Sequence, residues 1–147
     1  MIDAVFADYR RTRPQPHQGG LDRDLWHRLD ELGLVRLTGA EEAGGSGAGW
    51  YEAAELLTAA ARHGVRMPLA ENDLLACWLL DTAGVSSASA VRTVCDVDAG
   101  GSASGVPWAS CADRVVVVWA DDDGHRAADI AAEQLTITAG TNMIGEP

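Results

Sequence analysis

The chain contains no lysine; all eleven basic residues are arginine. A P-loop needs a lysine after its last glycine, so that nucleotide template is excluded. Asp and Glu total 22, giving a formal net charge of −11 and a pI near 4.5. A nucleic-acid binder would carry a positive footprint, and none is visible. The same acidic balance disfavours anionic membranes. Cysteine is scarce: Cys77, Cys95 and Cys111 are odd in number and too widely spaced for a C-x-x-C pair. They read as reduced, small apolar residues of an intracellular protein. Long apolar runs are missing too, since "LLACWLL" and "VVVVWA" are far too short to span a bilayer. The N-terminus carries Asp3 and Asp8 and lacks the basic-then-apolar pattern of a signal peptide. The expectation is a soluble, cytoplasmic protein with neither nucleic acid nor membrane as partner.

At 147 residues and 47% apolar content, the chain is long enough to bury a core without disulfides, as one domain or two small ones. Ile2, Val5, Phe6 and Tyr9 share one helical face over residues 2–11. "RPQPHQGG" then breaks the pattern. Leu21, Leu25, Leu29 and Leu32 form a second amphipathic stripe. Asp22 and Asp24 suit that helix's N-terminal dipole, and Gly33 stops it. "WYEAAELLTAAARHG" predicts a third helix ending at Gly64, and "MPLAENDLLACWLLDTAG" a fourth stopped by Gly84. "SSASAVRTV" reads as a short helix.

The character changes near residue 97. "DVDAGGSASGVP" is small and polar, "RVVVVWA" reads as a buried strand, "DDDG" as a turn, and "HRAADIA" and "QLTIT" as two further strands. Helices first and strands after is the order of an α+β fold, mainly α with a small β part. The expected division is a helical domain over 1–96 and a partial β domain over 97–147.

The glycine run "GGSGAG" at 44–49 invites a phosphate-loop reading, and each template fails. G-x-G-x-x-G from Gly45 meets Trp50, and G-x-S-x-G around Ser46 meets Ala48. A flexible helix–helix connection fits better. The contiguous Asp121, Asp122 and Asp123 lack the alternating spacing of a calcium loop and read as a solvated turn. The four histidines are scattered, with no H-x-x-x-H pair, so no metal site is read; His27 and His63 read as surface residues. Most of the five tryptophans read as core. Trp108, in the loop-like "GVPWASCAD", is where an aromatic ring could meet a planar ligand. No Ser–His–Asp or Cys–His arrangement follows from spacing, and no catalytic residue is assigned.

The order of segments carries a resemblance. "ELGL" at 31–34, "EEAGGSG" at 41–47 and "ARHGVRMPLAE" at 61–71 resemble the N-terminal helical domain of the acyl-CoA dehydrogenases. "GVPWASCADRVVVVWA" looks like the entry to that family's middle β domain, and "TNMIGEP" like a later segment of it. The resemblance implies an FAD-dependent oxidoreductase that α,β-dehydrogenates an acyl-CoA thioester, working in fatty acid or lipid catabolism as a homo- or hetero-oligomer with another acyl-CoA dehydrogenase subunit. It implies flavin contact by Gly105, Val106, Pro107 and Trp108, with Pro107 standing where many members have threonine. It also implies that the proton-abstracting glutamate belongs to a C-terminal helical domain beyond Pro147. The chain is therefore expected to be a truncated form, inactive alone, or a non-catalytic partner subunit that docks on another acyl-CoA dehydrogenase chain.

Overall fold

The computed structural model describes residues 2–13 and 20–147. Helix α1 spans Ile2–Thr12, α2 Arg23–Glu31 and α3 Trp50–Arg62. A π-helical stretch, Glu71–Cys77, then runs into α4, Trp78–Thr82. Three strands follow: β1 (Arg92–Asp96), β2 (Arg114–Asp121) and β3 (Gly124–Ala131). The result is α+β, as the segment order predicts. The break read at "RPQPHQGG" lies mostly outside the described residues.

Side chains and backbone agree at the helix ends. Asp22 caps α2, its Oδ1 accepting the Leu25 N–H at 3.1 Å. Gly33 takes a positive φ of 71°, and the Leu34 N–H reaches back to the Leu29 carbonyl at 2.8 Å. Val65 to Ala60 and Val85 to Leu80 repeat this closure after Gly64 and Gly84. All three are left-handed glycine stops of the Schellman type.

The main core joins α1, α2 and α3 through Phe6, Leu25, Trp26, Leu29 and Leu56, together with Leu34, Val35 and Val91. A second cluster, Ala76, Leu80 and Val116, packs the fourth helix on one face of the sheet. The sheet order is β1-β2-β3, parallel between the first two and antiparallel between the last two. Asp122 and Asp123 form the hairpin turn, with Asp121 Oδ1 accepting the Asp123 N–H at 2.9 Å.

Several expectations are corrected. Arg92–Asp96 is a strand, where "SSASAVRTV" reads as a helix; its five residues pair with 114–118. The 96/97 division thus falls at the end of β1. "QLTIT" forms no strand: Gln134 closes a 3-10 turn and 136–140 have no regular structure. β2 is deeply buried only at Val115–Val117. Trp50 and Trp78 are exposed, so the tryptophans divide between core and surface.

The glycine run is ordered rather than flexible. The N–H groups of Gly45, Ser46, Gly47 and Ala48 donate to the carbonyls of Ala40, Arg36, Gly39 and Leu37 at 2.8–3.0 Å. Ser46 Oγ donates to the Gly33 carbonyl at 2.7 Å. These amides are consumed by the loop itself and are not available to a phosphate.

Candidate functional site

The fourth helix organises the region between the helices and the sheet. Its π register buries the adjacent residues Asn72 and Asp73 together. Asn72 Nδ2 donates to the Val35 carbonyl at 2.8 Å, while its Oδ1 accepts the Arg92 N–H at 2.9 Å. Asp73 accepts the Thr38 N–H. Arg36, also buried, donates to both oxygens of Asp81 at 2.8 and 3.0 Å and to the Ala43 carbonyl. One helix thus holds both the segment carrying the glycine loop and the start of β1. Burial pushes the Asp73 carboxyl and the Cys77 thiol above their ordinary values. This network has no signature beyond "MPLAEND", and sequence reasoning misses it.

On the sheet's other face lies a cavity of about 860 Å³. Cys95, Val115, Val117 and Ile130 form its floor, and residues 101–106 and 134–138 its walls. No charged side chain lines it. A second cavity of about 250 Å³ lies between Gly105–Pro107 and residues 137–142, with Glu146 and Pro147 at its edge. Gly105, Val106 and Ala109 border both. Two of the four residues assigned to flavin contact, Gly105 and Val106, therefore stand at the junction of two cavities, and Pro107 lines the smaller one. Residues 137–142 complete it, and the sequence reading assigns none of them to flavin contact.

Trp108 is placed differently. It is buried at 4% exposure and does not line either cavity. Its φ is +61°, an uncommon backbone for an aromatic residue. The turn holding it is tight: Cys111 and Ala112 N–H both donate to the Trp108 carbonyl at 2.9 Å, and the Trp108 N–H donates to the Pro147 carbonyl at 2.6 Å. The sequence reading has this ring meeting a planar ligand; the structure buries it away from both cavities. Thr93 Oγ1 donates to the Pro107 carbonyl at 2.7 Å, which ties the same loop to β1.

The larger cavity is lined by hydroxyls, amides and apolar groups, the smaller by the same kinds of group and the Glu146 carboxylate, and neither by arginine. Such walls suit a neutral ring system of flavin type. They offer no cation to a dinucleotide's diphosphate. No group of His, Cys, Asp and Glu among the described residues is placed to hold a metal ion. No helix among them is long and apolar enough to cross a membrane.

A helical lobe with a glycine-stapled loop thus packs on one face of a small sheet. Residues 3–91 match the family described as acyl-CoA dehydrogenase, N-terminal domain. The chain belongs to the acyl-CoA dehydrogenase family. Among solved structures it is similar to a chain of the ChsE4–ChsE5 complex from Mycobacterium tuberculosis, with TM-score 0.67 and 21% identity over 89% of this chain and 45% of that one. It is also similar to a variant of the Tcur3481–Tcur3483 steroid ACAD, with TM-score 0.60 and 22% identity over 90% of this chain and 46% of that one. At these identities the likeness shows the fold. The chain spans less than half the length of either solved chain. No curated protein matches it.

Proposed function

We propose that the chain is the N-terminal part of a subunit of an FAD-dependent acyl-CoA dehydrogenase. A helical unit over 1–96 and a partial β unit over 97–147 together form one wall of the cofactor site. The observation that carries this reading is the junction at Gly105 and Val106, where two cavities without arginine meet beside the family's helical lobe. Gly105, Val106 and Pro107 border the flavin ring, and buried Trp108 holds their loop in place. Bound FAD would supply the hydride acceptor for the β-hydrogen of the acyl-CoA substrate. The chain's own part is to orient the ring and exclude water at the sheet face. No residue here is assigned the proton abstraction; in the family that belongs to a glutamate of the C-terminal domain.

The cavities lack a cation for the diphosphate, which favours a site completed by a second chain. One solved neighbour is a complex of two proteins, ChsE4 and ChsE5, and the other's name joins two, Tcur3481 and Tcur3483. The arrangement proposed here is likewise a pair of acyl-CoA dehydrogenase chains. A second reading, a docking subunit with no cofactor of its own, is favoured by that same absence of a cation. Incubation with FAD followed by desalting separates the two. The first reading expects a retained, perturbed flavin band when the chain is assembled with its partner subunit. A band no larger than that of the partner subunit alone leaves the docking role.

A further inference from the structure

Residues 142–147 form a closed unit at the edge of the smaller cavity, and Asn142 builds it. Its Oδ1 accepts the N–H groups of Ile144 and Glu146 at 3.0 and 2.9 Å, and its Nδ2 donates to Glu146 Oε2 at 3.2 Å. Its backbone N–H donates to the Glu146 carbonyl at 2.8 Å, and the Gly145 N–H returns to the Asn142 carbonyl at 3.0 Å. Gly145 takes a φ of +79°, which glycine adopts without steric strain. An asparagine bonded to the amides that follow it is a turn former, so the unit is stiff within itself. That stiffness does not fix where the unit sits.

Two hydrogen bonds tie it to the body of the chain. The Trp108 N–H donates to the Pro147 carbonyl at 2.6 Å, and Arg66 Nη1 donates to the Ile144 carbonyl at 2.9 Å. Arg66 stands 78 residues before Ile144, between α3 and the π-helical stretch. Its neighbours Val65 and Met67 pack into the main core, and Pro68 is fully buried. The Val65 N–H also closes α3 on the Ala60 carbonyl. The backbone that carries Arg66 is therefore fixed, and its guanidinium reaches out from a rigid base. A Cβ added at Gly145 would lie 4.0 Å from the same Nη1, so the guanidinium rests against the tip of the turn. A charged donor makes this a stronger tether than a neutral one.

The tethered unit is cavity wall. Asn142, Glu146 and Pro147 line the smaller cavity together with Gly105, Val106 and Pro107. Arg66 lines neither cavity, so it can act on a bound group only through Ile144. We propose that Arg66 is a positioning residue, which pins the 142–147 unit to the helical lobe and so sets the width of the cavity at Gly105–Pro107 that borders the flavin ring. This deepens the subunit reading and rests on it for the identity of the bound group.

The test compares Arg66→Met, which keeps an apolar stem and removes the donors, with Arg66→Lys, which keeps a cation able to reach one carbonyl. Both are measured in the chain assembled with its partner subunit. Without FAD, amide hydrogen exchange is followed by mass spectrometry over 105–110 and 142–147. Arg66→Met is expected to speed exchange there about three- to tenfold, the opening allowed by losing one hydrogen bond, and Arg66→Lys to restore most of the protection. The urea midpoint is expected to hold, because this bond lies at the surface. With FAD, Arg66→Met is expected to release flavin about three- to tenfold faster after desalting, with a band closer in shape to free FAD, and Arg66→Lys to reverse both. Unchanged exchange in Arg66→Met overturns the proposal. So does faster exchange with flavin release and band shape unchanged, which leaves Arg66 a surface tether with no part in the site. Flavin held alike by wild type and Arg66→Met thus removes this inference and leaves the subunit reading. A wild-type complex with no added flavin overturns the subunit reading, and the cofactor role of Arg66 with it.

Discussion

Gly45 lies so close to Gly39 that a methyl group at residue 45 would sit 2.1 Å from the Gly39 carbonyl oxygen. The contact is backbone against backbone, so no flexible side chain can move aside. Gly45→Ala is therefore expected to destabilise the chain by about 1–3 kcal/mol or more, the range for overpacking a tight site. Gly140, with open space around it and no positive φ, is the control, and its alanine variant is expected to be near neutral. Urea unfolding midpoints compare them. Equal midpoints for the two variants would contradict the close packing of this loop.

Arg36 and Asp81 make a two-toothed ion pair in which the arginine is the more deeply buried partner. Arg36 Nε is buried without a hydrogen-bond partner, so this guanidinium depends on its other donors. Asp81→Ala leaves the charge buried with no carboxylate paired to it, and a loss of about 3 kcal/mol is expected. Arg36→Met removes the buried charge itself and is expected to cost less. Chemical denaturation of both variants checks the order, and a reversed order would place the burden on Asp81.

Asp73 gives a pH prediction whose sign follows from its burial. Its folded carboxyl takes up a proton above the unfolded value of 3.8. Arg36, Asp81, Cys77 and the Thr38 N–H face it, and burial outweighs their effect. Between the unfolded and the raised folded value, the folded state binds the proton more tightly. The contribution of this group is therefore greatest when protonated and falls as pH rises through the raised value. Wild type is expected to gain stability relative to Asp73→Asn as pH drops from about 7 towards 4. Paired urea titrations across that range measure the difference. A gap moving the other way would mean that hydrogen bonding to Thr38, and not burial, dominates.

The first three helices are legible because their apolar positions recur with a helical period and glycines stop α2 and α3. The β2–β3 hairpin is legible because valines meet an Asp-rich turn. β1 is not, since "SSASAVRTV" is rich in small residues with no strong preference. What makes 92–96 a strand is long-range: pairing with Arg114–Val118, and Asn72 Oδ1 taking the Arg92 N–H. The stiffness of the glycine run is equally hidden, because most of its bonds are backbone to backbone and leave no side-chain signature. At the candidate site, 105–108 are marked only through the family resemblance. Residues 137–142 come to face them by tertiary folding alone. The inward placing of Trp108 depends on a positive φ that its residue type does not suggest.

The Trp108 turn should be sensitive to its floor. Thr93 Oγ1 is fully buried in its strand and holds the Pro107 carbonyl. Thr93→Val keeps the shape and removes that donor, leaving the carbonyl unpaired. A loss of about 1–3 kcal/mol is expected, together with faster amide hydrogen exchange at residues 105–110. Unchanged exchange there would show that Trp108 holds the loop without β1.

The subunit assignment is tested most directly by a visible absorption spectrum after FAD incubation and desalting, on the chain assembled with its partner subunit. The account predicts a retained flavin band with a shifted shape, above that of the partner alone, and diminished by Val106→Arg, which places a bulky charge between the two cavities. A complex with no added flavin, or a band indifferent to Val106→Arg, would contradict it.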